Sequence, residues 1–401
     1  MRRSLPEGPS LTDAFTTRFG FPRSEVSLAN WRLAPYSAWS FHNAAEMVPS
    51  AVIAAADGSE PPAADPSWLL AQTRAGGAQE KIDDFLRRSH TDALVVMKDG
   101  KFVADFHAPH HDPRAPHIVF SISKSLTAIL AGMLQEEGAL DPNSPITDHV
   151  PEVAGSAYGD ATVRHLLDMA VALDFDESYL DPESDFARYR RAMLWNPQLP
   201  GRAEEAMLGF LASLKKGEGD HGAPFRYRSP NSDLLGIVVE RAAGRRYAEL
   251  MSQRLWKPMG AKADGFVTVD REGTARAAGG VSVTARDLAR VGELMRNGGV
   301  TGGKRVLPEI WVQDTLTGGD ADAWRQGDFA HLLENGRYRN KWYQTGFANG
   351  AFFAIGIHGQ WLWVDPEAAV VVVRLSSQPE PVDDPLDLEC IALFSRIAEL
   401  S

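Results

Sequence analysis

The feature that most constrains the fold is the placement of strand-forming residues at both ends of the chain. Near the start, the apolar runs 94–97 and 102–106 flank Asp99-Gly100, a dipeptide typical of a tight hairpin. Near the end lie three further β-prone runs, at 351–357, 361–364 and 369–375. A helical pattern at 386–400 follows them. We therefore predict one antiparallel sheet of about five strands, built from both ends of the chain and flanked by N- and C-terminal helices.

The middle of the chain is predicted to be mostly helical. Apolar residues recur at helical spacing in five segments: 123–137, 163–169, 203–214, 232–243 and 285–296. Because these segments lie between the two groups of strands, we interpret the middle as an insertion. The predicted fold class is α+β, with an α/β lobe at 1–120 and 280–401, a mostly helical lobe at 121–279, and a cleft at their junction.

Charge and cysteine content narrow the classes of function. The formal net charge of −12 disfavours nucleic acids and anionic membranes as partners, so we expect small-molecule substrates. The longest apolar helical stretch, 126–134, is about half of the ~20 residues that a membrane span needs. The single cysteine, Cys390, lies in an apolar helical pattern and excludes internal disulfides, which fits a cytoplasmic location.

Residues 1–75 are rich in proline, alanine, serine and glycine, with only short apolar patches. This composition predicts an extended segment with little regular structure that packs on the outside of the main domain. Such a segment would offer a contact surface for a homodimer.

Two Ser-x-x-Lys patterns occur, and their surroundings differ. Ser213-Leu214-Lys215-Lys216 leads into a polar loop, so we interpret it as a solvated helix end. Ser121-Ile122-Ser123-Lys124 follows an apolar run and opens an apolar helix, which places the Ser121 hydroxyl at a helix N-terminus with Lys124 on the same face. An N-cap serine followed by a surface lysine is the alternative reading of these four residues.

A serine hydroxyl needs a base, and an amine can serve when burial lowers its pKa. Lys124 is the candidate base, and the Ser121 amide at the helix start is a natural hydrogen-bond donor to a developing oxyanion. Tyr227, which precedes the 232–243 helix, is the candidate for a second proton-transfer group acting with Lys124 as one unit. On spacing alone, Tyr227 also fits a half-buried packing residue.

Ser121-x-x-Lys124 and Tyr227-Arg228-Ser229, about a hundred residues later, resemble the Ser-x-x-Lys and Tyr-x-Asn/Ser elements of class C β-lactamases and related esterases. Four further segments resemble the 6-aminohexanoate-dimer hydrolases, the nylon-oligomer amidases of that family: 119–154, 165–169, 279–290 and 356–360. The resemblance covers most of the chain after residue 30. It implies a β-lactamase/penicillin-binding-protein-like fold and an acyl-enzyme on Ser121.

The resemblance also implies roles for individual residues. The catalytic set is Ser121, Lys124 and Tyr227, and the Ile357 amide joins the Ser121 amide in the oxyanion hole. The implied substrate-binding residues are these: Tyr179, Arg190, Ser229, Tyr343 and His358. His358-Gly359 stands where most β-lactamases carry Lys-Thr-Gly, and the missing cation argues against efficient β-lactam hydrolysis.

The expected reaction is hydrolysis of small linear amides or esters with no metal or organic cofactor. Arg190 stands where the resemblance predicts an acidic residue, and a cation there would repel the amine of an aminohexanoate chain, so short-chain esters are expected first. Alternatives are a carboxylesterase, a D-amino-acid peptidase or a β-lactamase of the same fold. A non-catalytic module that binds an acyl ligand is the alternative from another class.

One pattern points to a metal only weakly. His107, His110, His111 and Asp112 form a short cluster, but no second cluster of ligand spacing accompanies it in the sequence. We therefore interpret it as a polar loop between two elements and expect no metal site.

Overall fold

The computed structural model describes residues 11–73, 80–177, 181, 183–222 and 224–401. The strands are β1 Ser50–Ile53, β2 Thr91–Lys98, β3 Lys101–His107, β4 His117–Ile118, β5 Leu173–Asp174, β6 Lys215–Lys216, β7 Gly265–Thr268, β8 Val281–Val283, β9 Val300–Thr301, β10 Lys304–Arg305, β11 Arg337–Arg339, β12 Trp342–Gln344, β13 Phe352–Gly356, β14 Gln360–Asp365 and β15 Val370–Ser376. The α-helices are α1 Leu11–Phe19, α2 Ser37–Ser40, α3 Ser67–Leu70, α4 Ile82–Arg88, α5 Ile122–Glu136, α6 Val163–Leu167, α7 Asp185–Ala192, α8 Met207–Ser213, α9 Pro230–Ala243, α10 Tyr247–Leu250, α11 Ala285–Arg296, α12 Glu309–Thr317, α13 Ala321–Arg325 and α14 Asp384–Leu400.

The main sheet joins the two ends of the chain, as the sequence predicts. Its strands run in the order β11-β12-β13-β14-β15-β2-β3, and every neighbouring pair is antiparallel. The N-terminal hairpin β2–β3 is attached to the C-terminal strands through β15, from Val370 opposite Lys98 to Leu375 opposite Ala93. The sheet has seven strands rather than about five, because two short strands of three residues each, β11 and β12, are added at one edge.

Helices cover both faces of this sheet. Residues of β14, β15 and β2 alternate between two apolar clusters, one formed with α11 and the other with α4 and α14. Gly292 of α11 allows close packing, since a Cβ there would lie 2.6 Å from Val371 Cγ1 and 2.8 Å from Leu362 Cδ1. Cys390 of α14 is fully buried, in agreement with its apolar pattern.

The N-terminal segment contains more regular structure than its composition predicts. It carries α1–α3 and contributes β1 to a second sheet of order β1-β7-β8-β4. The expectation of little regular structure was wrong here because β1 is only four residues long, and its pairing with β7 depends on residues more than 200 positions away. Strand β4 of this sheet leads directly to Ser121.

The helices predicted at 123–137, 163–169, 203–214, 232–243 and 285–296 are present as α5, α6, α8, α9 and α11, with boundaries shifted by at most four residues. The division into lobes at 121 and 279 stays a prediction. No helix in the described parts of the chain is both long enough and apolar enough to cross a membrane.

Candidate active site

The turn between β4 and α5 places Ser121 at a helix start. Phe120, immediately before it, has φ of +42°, a left-handed conformation that is costly for a bulky residue. Its ring is held by edge-on contacts with Phe41, at 4.9 Å between ring centroids, and Trp195, at 6.1 Å. Packing therefore fixes the strained turn that presents Ser121 to a cavity.

Lys124 lies one turn along α5 with its amine against Ser121. Its Nζ is 2.7 Å from Ser121 Oγ and donates to the Ala278 carbonyl, also at 2.7 Å. Burial lowers the pKa of Lys124 to about 7, with Glu177 opposing the shift and Arg276 adding to it. The surface-lysine alternative was wrong. By contrast, the exposed Lys216 of the second Ser-x-x-Lys pattern forms an ion pair with Asp160, at 2.6 Å.

Tyr227 completes a group of three polar side chains. Its phenol interacts with the Ser121 side chain, which partly offsets the rise in its pKa, and Lys124 Nζ lies 5.0 Å from the centre of its ring. Burial raises the pKa of Tyr227 above its usual value, and Glu177 adds to the shift, so the phenol is a proton donor at neutral pH. Asp328 fixes the local backbone by accepting the Tyr227 N–H at 2.8 Å.

Glu177 is a functional neighbour that the sequence reading missed. Its carboxylate accepts two hydrogen bonds from Ser229, from the backbone N–H at 2.7 Å and from Oγ at 2.6 Å. Ser229 is the residue before α9, so Glu177 holds the start of this helix next to Tyr227. Neither Glu177 nor Asp328 belongs to a motif, and each acts on residues 50 to 101 positions away, so spacing gave no signal.

A buried ion pair supports the carbonyl that Lys124 contacts. Asp233 of α9 pairs with Arg276, and its Oδ1 accepts the Ala278 N–H at 2.8 Å. Tyr189 donates to Asp233 from the other side. The pair therefore fixes Ala278, and with it the position of Lys124 Nζ.

Strand β13 passes along the other side of Ser121. At Gly356 a Cβ would lie 2.5 Å from the Val119 carbonyl oxygen and 3.0 Å from the Ser121 nitrogen, so only glycine fits without a shift. Gly356 and Ile357 both line the cavity at Ser121. This brings the backbone of 356–357 beside the Ser121 amide, as an oxyanion hole requires.

The cavity at Ser121 has a volume of about 280 Å³ and a largely aromatic and aliphatic wall. The apolar lining residues include the following: Trp324, Phe329, Leu332, Leu333, Tyr343, Phe353, Ile355, Trp361, Val382 and Ile391. Its polar lining is mostly acidic: Asp176, Glu177, Asp328, Asp384 and Asp387, with Arg228 as the basic residue. Burial raises the pKa of Asp387 to about 7.

The other residues predicted to bind substrate differ in whether they line the cavity. Tyr343 lines the cavity as part of β12, stacked on Phe353 at 5.0 Å, so it is a wall residue. Tyr179 lies outside the described residues. Among the residues that the structure describes, Arg190, Ser229 and His358 do not line the cavity.

Arg190 and His358 each pack against an aromatic ring that is not part of the cavity lining. The Arg190 guanidinium lies over the Phe186 ring, 4.5 Å from its centre. His358 packs against Phe120 at 5.4 Å and binds the Gln378 carbonyl through Nδ1 at 2.9 Å. Burial lowers the pKa of His358 to about 4, so it is neutral at pH 7.

The fold and the buried Ser–Lys–Tyr group define a class, the serine hydrolases that share the β-lactamase fold. A family model described as Beta-lactamase matches residues 78–395, and the chain belongs to this family. Over 364 residues it is 38% identical to 6-aminohexanoate-dimer hydrolase of Paenarthrobacter ureafaciens, covering 90% of this chain and 91% of that protein.

Solved structures agree with this fold. A Bacillus anthracis protein assigned as a 6-aminohexanoate-dimer hydrolase superposes with a TM-score of 0.80 at 24% identity, covering 94% of this chain and 97% of that one. A family VIII carboxylesterase superposes with a TM-score of 0.56 at 15% identity, covering 78% and 96%. At these identities the structures show the fold alone. The family and the 38% identical relative identify the chain as a serine hydrolase that acts on amides or esters.

Proposed function

We propose that Ser121 is the nucleophile and that the enzyme works through an acyl-enzyme. Lys124 Nζ accepts the Ser121 proton as Oγ attacks the carbonyl carbon. The amides of Ser121 and Ile357 stabilise the resulting oxyanion, and Tyr227 passes a proton to the leaving amine or alcohol as the bond to it breaks. The proton that Lys124 accepted then passes to Tyr227, which restores both groups. Water attacks the ester carbonyl of the acyl-enzyme, and its proton passes through the same groups to Ser121 Oγ as the acid is released. No cofactor is needed for these steps.

The contact between Lys124 Nζ and Ser121 Oγ carries this proposal. The distance of 2.7 Å suits direct proton transfer, and a lysine pKa of about 7 leaves a large neutral fraction at neutral pH. A serine and a lysine on the surface would satisfy neither condition.

We propose small linear amides and esters with an apolar chain as substrates. The apolar wall suits such a chain, and the acidic residues of the lining favour a neutral or amine-bearing end. Because Arg190 is not part of the described lining, its charge is a weaker obstacle to an amine than the sequence suggested. The 6-aminohexanoate dimer, named by the relative, is therefore a candidate substrate.

The first experiment compares hydrolysis of p-nitrophenyl acetate, p-nitrophenyl butyrate and the 6-aminohexanoate dimer by wild type and Ser121→Ala. Ser213→Ala is the matched control, because it removes the serine of the second Ser-x-x-Lys pattern. We expect ester turnover to disappear in Ser121→Ala and to persist in the control. Turnover by Ser121→Ala at the wild-type rate would refute the assignment of the nucleophile.

Two alternatives have separate tests. A non-catalytic acyl-binding module would not form a covalent adduct at Ser121 with a fluorophosphonate probe, which mass spectrometry detects. A β-lactamase would turn over a chromogenic cephalosporin. We expect poor turnover, because His358 is neutral and buried behind Phe120 and so supplies no cation for the drug carboxylate.

We also propose a cytoplasmic location, two lobes divided at residues 121 and 279, and a homodimer. Cys390 is buried and is the single cysteine of the sequence, and this supports the location, since a chain without internal disulfides suits a reducing compartment. Leu33 and Val52, exposed apolar residues of the N-terminal segment, support a contact between copies. Light scattering of the purified chain would measure its mass in solution.

A further inference from the structure

Outside the active site, histidines from separate segments gather around one buried aspartate. We call this group, His42, Asp92, His110, His111 and His117, the histidine cluster. His42 comes from the N-terminal segment, Asp92 from β2, His110 and His111 from the loop after β3, and His117 from β4. The sequence grouped His110 with His107 and Asp112 instead, because the partners His42 and Asp92 are distant along the chain.

The contacts within the histidine cluster are short. Asp92 Oδ1 lies 2.7 Å from His110 Nε2, and Asp92 Oδ2 lies 3.1 Å from His117 Nε2 and 4.0 Å from His42 Nε2. His42 and His111 approach each other with ring nitrogens 3.3 Å apart. One ligand atom each from His42, Asp92 and His110 falls within 4.8 Å of the others.

We propose that the histidine cluster binds one divalent transition-metal ion, with Zn²⁺ as the best match, through His42, Asp92 and His110. Two imidazole nitrogens and one carboxylate oxygen form a ligand set typical of zinc, whereas calcium and magnesium prefer oxygen ligands alone. Three protein ligands leave a fourth position for water. His110 is partly exposed, which gives the ion a path from solvent.

The charge balance of the histidine cluster favours a cation. Asp92 contacts the rings of His42, His110 and His117, and His111 contacts His42. The negative charge of this carboxylate, surrounded by imidazoles, favours a bound cation. His111 Nε2 is buried and has no hydrogen-bond partner in the described parts of the chain.

Asp92 has further hydrogen-bond partners besides the proposed metal ligands. His117 places both ring nitrogens against oxygens, Nδ1 at 2.8 Å from the Ile118 carbonyl and Nε2 against Asp92, and so fixes the carboxylate. Ser377 Oγ donates to Asp92 Oδ1 at 3.1 Å. Such outer partners orient ligands in metal sites. A bound ion would join the N-terminal segment to β2 and to the loop after β3, and Asp92 would connect it to His117 of β4.

The test uses the full-length chain without an affinity tag, stripped of metal by a chelator and then titrated with Zn²⁺ against a chromophoric chelator. We expect one ion per chain and a higher melting temperature in its presence. His110→Gln should weaken binding by at least the roughly 10–100-fold seen when a supporting contact is lost. His149→Gln is the control, because His149 lies outside the histidine cluster, and it should bind as the wild type does.

A second readout needs no variant. Co²⁺ added to the stripped wild type should give the intense visible absorption of a four- or five-coordinate site with nitrogen ligands. A weak spectrum typical of six oxygen ligands would overturn the proposal. So would the absence of stoichiometric Zn²⁺ uptake by the wild type, or unchanged uptake by folded His110→Gln.

Discussion

At the scale of single residues, Lys124 makes the activity depend on pH. Its pKa is about 7 because the amine is buried, so below pH 7 the ammonium form predominates and cannot accept the Ser121 proton. We expect kcat/KM for p-nitrophenyl butyrate to rise about tenfold per pH unit up to about 7 and then to level off. A profile without this rise, measured from acid to mildly alkaline pH with the uncatalysed rate subtracted, would contradict the role of Lys124.

Gly356 is a second single-residue determinant. A methyl group there would press on the Val119 carbonyl and the Ser121 amide, and so displace the nucleophile turn from β13. Because a displacement of about 1 Å can cost ~100-fold in rate, we expect Gly356→Ala to lower kcat by about that factor. Gly209→Ala in α8 is the control. Its Cβ would meet a single atom, Glu205 Cγ, at 3.7 Å, and its activity should match that of the wild type.

The sequence predicted the residues of the site that belong to motifs and missed those that do not. Ser121, Lys124 and Tyr227 meet as predicted, because the first two share a helix face and the third precedes a helix packed against it. Glu177 and Asp328 act through contacts between loops distant in sequence. Contacts of this kind depend on the tertiary structure and leave no periodic pattern.

At the scale of elements, the buried pair of Asp233 and Arg276 links α9 to the turn that carries Ala278. Asp233→Ala would leave the Arg276 charge unpaired and buried, so we expect a loss of about 3–5 kcal/mol in the free energy of unfolding. Urea denaturation measures this loss. Asp322→Ala removes the exposed pair with Arg325 and should cost less than about 1 kcal/mol. Equal losses in the two variants would contradict the argument.

Elements with longer apolar patterns were predicted well, whereas strands of three residues were not. Helix α11 begins and ends where its pattern does, and strands β13–β15 differ from their predictions by one residue at each end. Strands β11 and β12 were missed because three residues cannot establish an alternation. Their place in the sheet depends on the hairpin between them and on β13.

At the scale of the whole molecule, the N-terminal segment packs against the residues that hold the turn before Ser121. Trp31 is fully buried, donates through Nε1 to the Trp195 carbonyl at 3.1 Å, and packs edge-on against that indole, which in turn contacts Phe120. We expect Trp31→Ala to destabilise the protein by about 3–5 kcal/mol. Ile310→Ala, at an exposed position of α12, should change stability by about 0.5 kcal/mol or less. Thermal and urea unfolding would compare them.

The pairing of β2 with β15 sets an order for events on the ribosome. Lys98 emerges about 270 residues before its partner Val370, which corresponds to roughly 15–55 s of synthesis at ordinary elongation rates. During that interval β2 exposes an unpaired, apolar edge of the kind that recruits other chains. The yield of active enzyme in a cell should therefore depend on how quickly translation reaches residue 376 and on chaperones that shield the nascent hairpin until then.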